Sequence, residues 1–306
     1  MNAFEPSRSS DRGEDADVIP LNVGRPPEPG PMERKIASGL SFLRRRLTGE
    51  YDIDEFGFDP EFNSTLVLPL ARALYEYWFR VEVKGLQHVP EEGGALIVAN
   101  HSGTLPLDGL MLQVGVHDNA DRDLRLLGAD LVYRVPTLGH LSRKSGHTLA
   151  CPADAARLLG KGELVGVFPE GFKGVGKPFR DRYRLQRFGR GGFVGTAMRA
   201  QVPIIPCAIV GAEEIYPKIA DLRPLARLLG FPYFPVTPTF PFLGLLGLIP
   251  LPSKWIIQFG PPVPMNDYEP GAADDPITLF DLTDQVREVI QQMLYDALLK
   301  RGPAFF

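Results

Sequence analysis

Short, wholly apolar runs alternate along this chain with stretches whose apolar residues recur every three or four positions. Ala95-Leu96-Ile97-Val98-Ala99, Leu164 to Phe168 and Ile204 to Val210 are of the first kind and offer no charged side chain to water. A strand of this kind is covered on both faces, the condition of a parallel sheet sandwiched by helices. Between the runs, Pro106 to Val116, Thr137 to Lys144, Ala153 to Leu159 and Gly191 to Ala200 have helical patterning, and Leu124 to Leu127 is strand-like. Trp255 to Phe259 adds a late strand and Ile277 to Leu299 a terminal helix. The expected fold class is therefore α/β, with a mixed, largely parallel sheet flanked by helices and with functional loops after the strand ends.

The ends of the chain read differently. Residues 1–30 are rich in Ser, Asp, Arg, Pro and Gly without spaced apolar positions, so a disordered tail is expected there. Residues 31–80 form an N-terminal helical segment. Within it Ile36, Leu40, Leu43 and Leu47 keep helical spacing beside Arg44, Arg45 and Arg46, a pattern that fits an interfacial helix and equally a helix docked on its own domain. A second helix is expected to follow Pro69 and run to Phe79, before a strand at Val81-Glu82-Val83. The main domain spans 81–270, with an apolar insertion at 231–254, and 271–306 supply a C-terminal helix that packs on it.

Composition removes several function classes. The chain's 306 residues are 44% hydrophobic, enough for a sizeable core without disulfides or metal. The 33 basic and 37 acidic side chains leave a formal charge of −4, which gives no global case for nucleic acid, and any basic function must be regional. Cys151 and Cys207 stand far apart, and His88, His117, His140 and His147 show no paired spacing, so no metal site is expected. No signal peptide or spanning helix is visible, and the longest apolar stretch, Phe231 to Pro252, is interrupted by Pro232, Pro235, Pro238, Pro241 and Pro250. Attachment to a membrane is expected to be peripheral.

Two loops carry the chemistry. Asn100-His101-Ser102-Gly103-Thr104 follows the first buried strand, with Thr104 and Pro106 suited to start a helix and Asp108 in its first turn. A carboxylate beside an imidazole fixes its tautomer and leaves the second ring nitrogen to take a proton from a hydroxyl. Phe168-Pro169-Glu170-Gly171-Phe172-Lys173 follows another buried strand, so its polar groups emerge at the same sheet edge. Beyond it, Lys173, Lys177, Arg180, Arg182, Arg184, Arg187 and Arg190 are interleaved with Phe179, Tyr183 and Phe188, a run suited to phosphates, an anionic headgroup or an acidic carrier protein, or to a solvated face. Gly174, Gly176, Gly189 and Gly191 fit a mobile substrate loop.

In order and separation, Asn100-His101, Asp108, Phe168-Pro169-Glu170-Gly171 and Val202-Pro203-Ile204-Ile205-Pro206 resemble the motifs of the glycerolipid acyltransferase family, over roughly residues 80–265. The resemblance implies an O-acyltransferase in which His101 is the general base and Asp108 its support. Ser102, Gly103, Pro169, Glu170, Gly171 and Lys173 would shape the acceptor site. The donor would be acyl-CoA or an acyl carrier protein as co-substrate, the acceptor lysophosphatidate or another lysophospholipid, and the place of action the cytoplasmic face of a membrane. No metal or redox cofactor is implied.

Three departures bear on the acceptor and on the pairing. Four residues usually separate the His from the acid, whereas six do here, so the loop is longer or the pairing altered. Phe172-Lys173 stands where phosphate-acceptor members commonly carry Thr-Arg, replacing a forked donor by a point charge. Cys151 ends the Gly146 to Cys151 stretch where the family often has an Arg, which opens a neutral mono- or diacylglycerol as acceptor. A catalytically silent lipid-binding scaffold is the reading from another class. Hydrolysis is disfavoured because no Gly-x-Ser-x-Gly elbow is present.

Overall fold

The computed structural model describes residues 30–102, 104, 105 and 107–305. The expected tail at 1–30 lies, apart from Gly30, outside the described residues. The chain divides between Arg44 and Arg45, and the unit Arg45–Phe306 carries the sheet and the site. The helix Pro31–Thr48 has Glu33 in its first turn and Arg45 and Arg46 in its last, charges that complement the helix dipole.

Among the described residues nine strands form in chain order: β1 Glu82–Lys84, β2 Ala95–Ala99, β3 Leu124–Gly128, β4 Thr148–Leu149, β5 Leu164–Val167, β6 Ile204–Val210, β7 Ala220–Asp221, β8 Pro235–Val236 and β9 Ile256–Phe259. Seven of them make one sheet in the order β1-β9-β6-β2-β5-β3-β4, and β7 pairs with β8 in a separate two-stranded ribbon. All neighbours in the large sheet run parallel except β6 and β9. The mixed, largely parallel α/β architecture is thus as expected.

Every residue of β2 and β6 is buried, which is why both read as unbroken apolar runs. Successive side chains go to opposite faces. Leu96 and Val98 join a core with the helices Pro152–Gly160, Gly192–Ala200 and Pro276–Arg301. Ala95, Ile97 and Ala99 join a second core with Leu107–Ala120 and the helical stretch 60–78.

That stretch is the main difference from expectation, because it begins at Pro60 rather than after Pro69. Asp59 caps it by accepting the Phe62 N–H at 2.9 Å. Two widened turns, Asn63–Val67 and Leu74–Trp78, interrupt the regular helix, and Pro69, which has no N–H to give, follows the first of them. Pro69 therefore sits inside the helix instead of opening it. Among the described residues no helix is long and apolar enough to cross a membrane.

Candidate active site

Because β2 lies between β5 and β6 and runs parallel to both, three loops leave the sheet side by side. The first carries Asn100, His101 and Ser102, the second Phe168 to Lys173, and the third Gly211 to Glu214. Asn100 locks the first loop onto β6: its side chain donates to the Ile209 carbonyl at 3.0 Å and accepts the Ile209 N–H at 2.7 Å. Being fully buried, it anchors the turn that presents His101.

His101 Nδ1 lies 2.7 Å from Asp108 Oδ2, so the longer interval does not break the pair. Asp108 is fully buried, and the Ser102 N–H and its own helix's Gly109 N–H, both at 2.9 Å, fix the two carboxylate oxygens. Ser102 Oγ adds a longer contact at 3.4 Å. With Nδ1 engaged, Nε2 is the ring nitrogen left for a substrate. The Phe168 ring stacks on the imidazole at 4.6 Å between centroids, restricting its rotation. Thr104 takes up the extra loop length in a left-handed conformation with φ of 41°, held by its N–H on the Val175 carbonyl. Gly103 and Pro106, expected to shape the site and to open the helix, lie outside the described residues.

Glu170 binds the loops together through the backbone of His101. Its Oε1 accepts the His101 N–H at 2.9 Å, and its Oε2 accepts the Gln186 N–H at 2.7 Å. Lys177 Nζ reaches the same Oε2 at 3.4 Å, Glu213 Oε1 at 3.0 Å and the Arg184 carbonyl at 3.2 Å. Lys177 is therefore a buried internal partner and leaves the set of cations free for phosphate. Glu213 also accepts the Tyr183 N–H at 3.1 Å, while the Tyr183 hydroxyl donates to Glu214, itself paired with Arg301 of the terminal helix. Burial pushes the Glu213 carboxyl up to about 7, against the opposing pull of Lys177.

Of the remaining expected residues, Pro169 is half-buried, and Gly171 turns the chain at φ 53° with its N–H on the Phe168 carbonyl. Lys173 is exposed and lines a cleft of about 400 Å³ together with Phe172, Gln186, Lys218 and Tyr233. Arg180, Arg182, Arg184, Arg187 and Arg190 are all exposed. Three of the four glycines have a packing reason: a Cβ on Gly174, Gly176 or Gly191 would lie within about 3 Å of backbone or side-chain atoms, whereas Gly189 is open. Cys151 caps the helix Pro152–Gly160 through Sγ and the Asp154 N–H, and Arg143 and Lys144 lie over the rings of Tyr133 and Phe62. Half-buried His147 is held neutral, pushed down to about 4 by desolvation and Arg125.

The sequence does not single out Gln186 and Lys177 as partners of Glu170, nor Glu213 as the second acid on Lys177. Only Glu213 had a readable signal, an acid just beyond a buried strand.

Residues 80–210 match the family model named Acyltransferase. An uncharacterised protein of Mycobacterium tuberculosis is 59% identical over 280 residues, 91% of this chain and 78% of its own length. The 1-acyl-sn-glycerol-3-phosphate acyltransferase alpha of Mus musculus is 34% identical over 158 residues, 50% of this chain and 53% of its own. The solved 1-acyl-sn-glycerophosphate acyltransferase PlsC of Thermotoga maritima shares the fold with a TM-score of 0.54 at 17% identity, over 88% of this chain and 98% of that one. The chain belongs to the glycerolipid acyltransferase family and is an acyltransferase of lipid metabolism.

Proposed function

We propose that the protein is an O-acyltransferase that moves a fatty acyl group from a thioester to a glycerolipid hydroxyl, with His101 as general base. The observation that carries this reading is His101 held through both side chain and backbone: Nδ1 sits 2.7 Å from buried Asp108, and the backbone N–H is on Glu170 at 2.9 Å. Nε2 takes the proton of the acceptor hydroxyl as its oxygen bonds to the thioester carbonyl carbon. The carbon–sulfur bond then breaks, and the imidazolium, stabilised by Asp108, returns the proton to the departing thiolate. No enzyme nucleophile is needed, in keeping with a site whose Ser102 is buried and turned to Asp108.

The donor is acyl-CoA or an acyl carrier protein, whose anionic groups suit the exposed arginines from Arg180 to Arg190. Lysophosphatidate or another lysophospholipid is the default acceptor, with exposed Lys173 at the cleft as a cation for its headgroup. Cys151 in its helix-capping role supports the neutral mono- or diacylglycerol reading instead, since it supplies no charge to a phosphate. The enzyme works peripherally at the cytoplasmic face of a membrane.

Labelled acyl-CoA or acyl carrier protein incubated with lysophosphatidate, lysophospholipids, monoacylglycerol and diacylglycerol identifies the acceptor. His101→Ala is expected to lower turnover by roughly 10³-fold with the melting temperature nearly unchanged. Turnover equal to wild type removes His101 as base. Absence of product with every donor and acceptor leaves the scaffold reading.

A further inference from the structure

The insertion after β7 is built the opposite way from the rest of the molecule: its backbone is well bonded inward and its large apolar side chains face solvent. Leu222 and Phe234 pair through an N–H to carbonyl bond of 2.9 Å, and the Tyr216 hydroxyl donates to the Leu248 carbonyl at 2.5 Å. Trp78 Nε1 holds the Pro250 carbonyl at 2.9 Å. On this fixed base Leu228 is 82% exposed, Phe242 73%, Leu245 83% and Leu246 68%, with Leu243 and Ile249 more than half exposed beside them.

So many exposed large apolar side chains within one short segment mark an interaction surface. Charge says what covers it. From residue 222 to residue 254 the chain has no Asp or Glu, and its charged residues are Arg223, Arg227 and Lys254. Arg223 and Arg227 are both exposed on the helix Arg223–Leu229. Apolar side chains in one segment with exposed cations match the headgroup and acyl boundary of an anionic bilayer, where leucines and phenylalanines leave water and arginines meet lipid phosphates. The insertion is also continuous with the site. Pro232 and Tyr233 line the cleft with Lys173, and the Tyr233 hydroxyl donates to the Thr104 carbonyl in the His101 loop at 2.6 Å.

We propose that residues 222–249 are the membrane-docking surface of this enzyme, entering the interface of an anionic bilayer so that the cleft beside the catalytic loops opens onto the lipid. The inference rests on the lipid-acceptor reading above, and the experiment separates the two. Full-length protein is sedimented with vesicles of phosphatidylcholine alone and of phosphatidylcholine with phosphatidylglycerol. Wild type is expected to bind the anionic vesicles, Leu245→Asp/Leu246→Asp to lose at least tenfold in partitioning, and Arg223→Gln/Arg227→Gln to lose roughly tenfold on anionic vesicles only. Turnover of an acceptor embedded in vesicles should fall with the aspartate pair, while turnover of the same acceptor in detergent micelles stays at wild-type level. No turnover in either form counts against the lipid-acceptor reading and leaves the binding result to judge the surface. A Leu245→Trp variant reports insertion directly through a blue shift and quenching by lipids brominated on the acyl chain. Undiminished binding by the aspartate pair, or no spectral change in Leu245→Trp, overturns the proposal. So does a wild-type dimer that the aspartate pair dissolves, since a second copy would then be the occupant.

Discussion

The loops around His101 and the insertion after β7 differ in how they treat polar and apolar groups. In the loops, charged side chains are buried and each has named partners: Asp108, Glu170, Lys177 and Glu213. In the insertion, the apolar side chains Phe242, Leu245 and Leu246 are exposed while the backbone beneath them is held. A low-dielectric site makes each missing partner costly, whereas an exposed leucine costs the fold almost nothing. Substitutions in the first region should therefore register in stability and catalysis together, and substitutions at the tip of the second should register only when lipid is present.

The largest break is expected at Lys177. Lys177→Met leaves Glu170 and Glu213 facing each other without their shared cation, which for a buried group costs about 3–5 kcal/mol. Thermal unfolding should fall by roughly 10 °C, using about 2–4 °C per kcal/mol for a chain of this size. An unchanged melting temperature would show that the two carboxyls share a proton without help from Lys177.

Glu213 sharpens the same point through pH. Burial raises its carboxyl from 4.5 to about 7 in the folded chain, so the folded state binds this proton more tightly than the unfolded state does. The contribution to stability is fully present below pH 4.5 and is lost as pH rises through 7. It amounts to on the order of 3 kcal/mol. The stability of wild type relative to Glu213→Gln should decline over that window in denaturant titrations, and a constant difference would mean that Glu213 is an ordinary carboxylate.

Much of this arrangement is visible in the sequence, and the part that is not has identifiable causes. β2 and β6 match their apolar runs residue for residue because both faces of a central parallel strand are covered, leaving no polar position to blur the ends. The His101–Asp108 pair and the Glu170 loop were legible as motifs, and adjacent parallel strands bring them together. Sequence places the start of the 60–78 helix after Pro69 rather than at Pro60, because Pro69 has the properties of a first-turn residue while occupying the middle. Lys177 was counted among cations for a ligand because its partner Glu213 lies 36 residues away, and no local pattern encodes that pairing. The exposure of Leu245 and Leu246 was equally unreadable: an apolar stretch with five prolines fits a core wall as well as a surface.

Gly174 tests how closely the two catalytic loops are fitted. A Cβ there would lie 2.7 Å from Glu170 Cβ and 2.9 Å from the His101 carbonyl oxygen, so the loops must part to admit it. Gly174→Ala should cost about 1–3 kcal/mol, and displacement of His101 should lower kcat by roughly tenfold or more. Gly189→Ala is the control, because no atom lies within 4 Å of its Cβ position and both quantities should stay at wild-type values. Equal behaviour of the two variants would mean that the loop around Gly174 yields freely.

The smallest expected effect lies at the tip of the insertion. Leu245 and Leu246 are 83% and 68% exposed, so Leu245→Asp/Leu246→Asp removes little buried area and no side-chain hydrogen bond. In detergent-free buffer the melting temperature should shift by no more than about 1–2 °C, within the roughly 0.5 kcal/mol usual for surface changes. A loss of several degrees would show that these leucines support the fold, and the contrast between a bonded polar interior and a free apolar edge would then disappear.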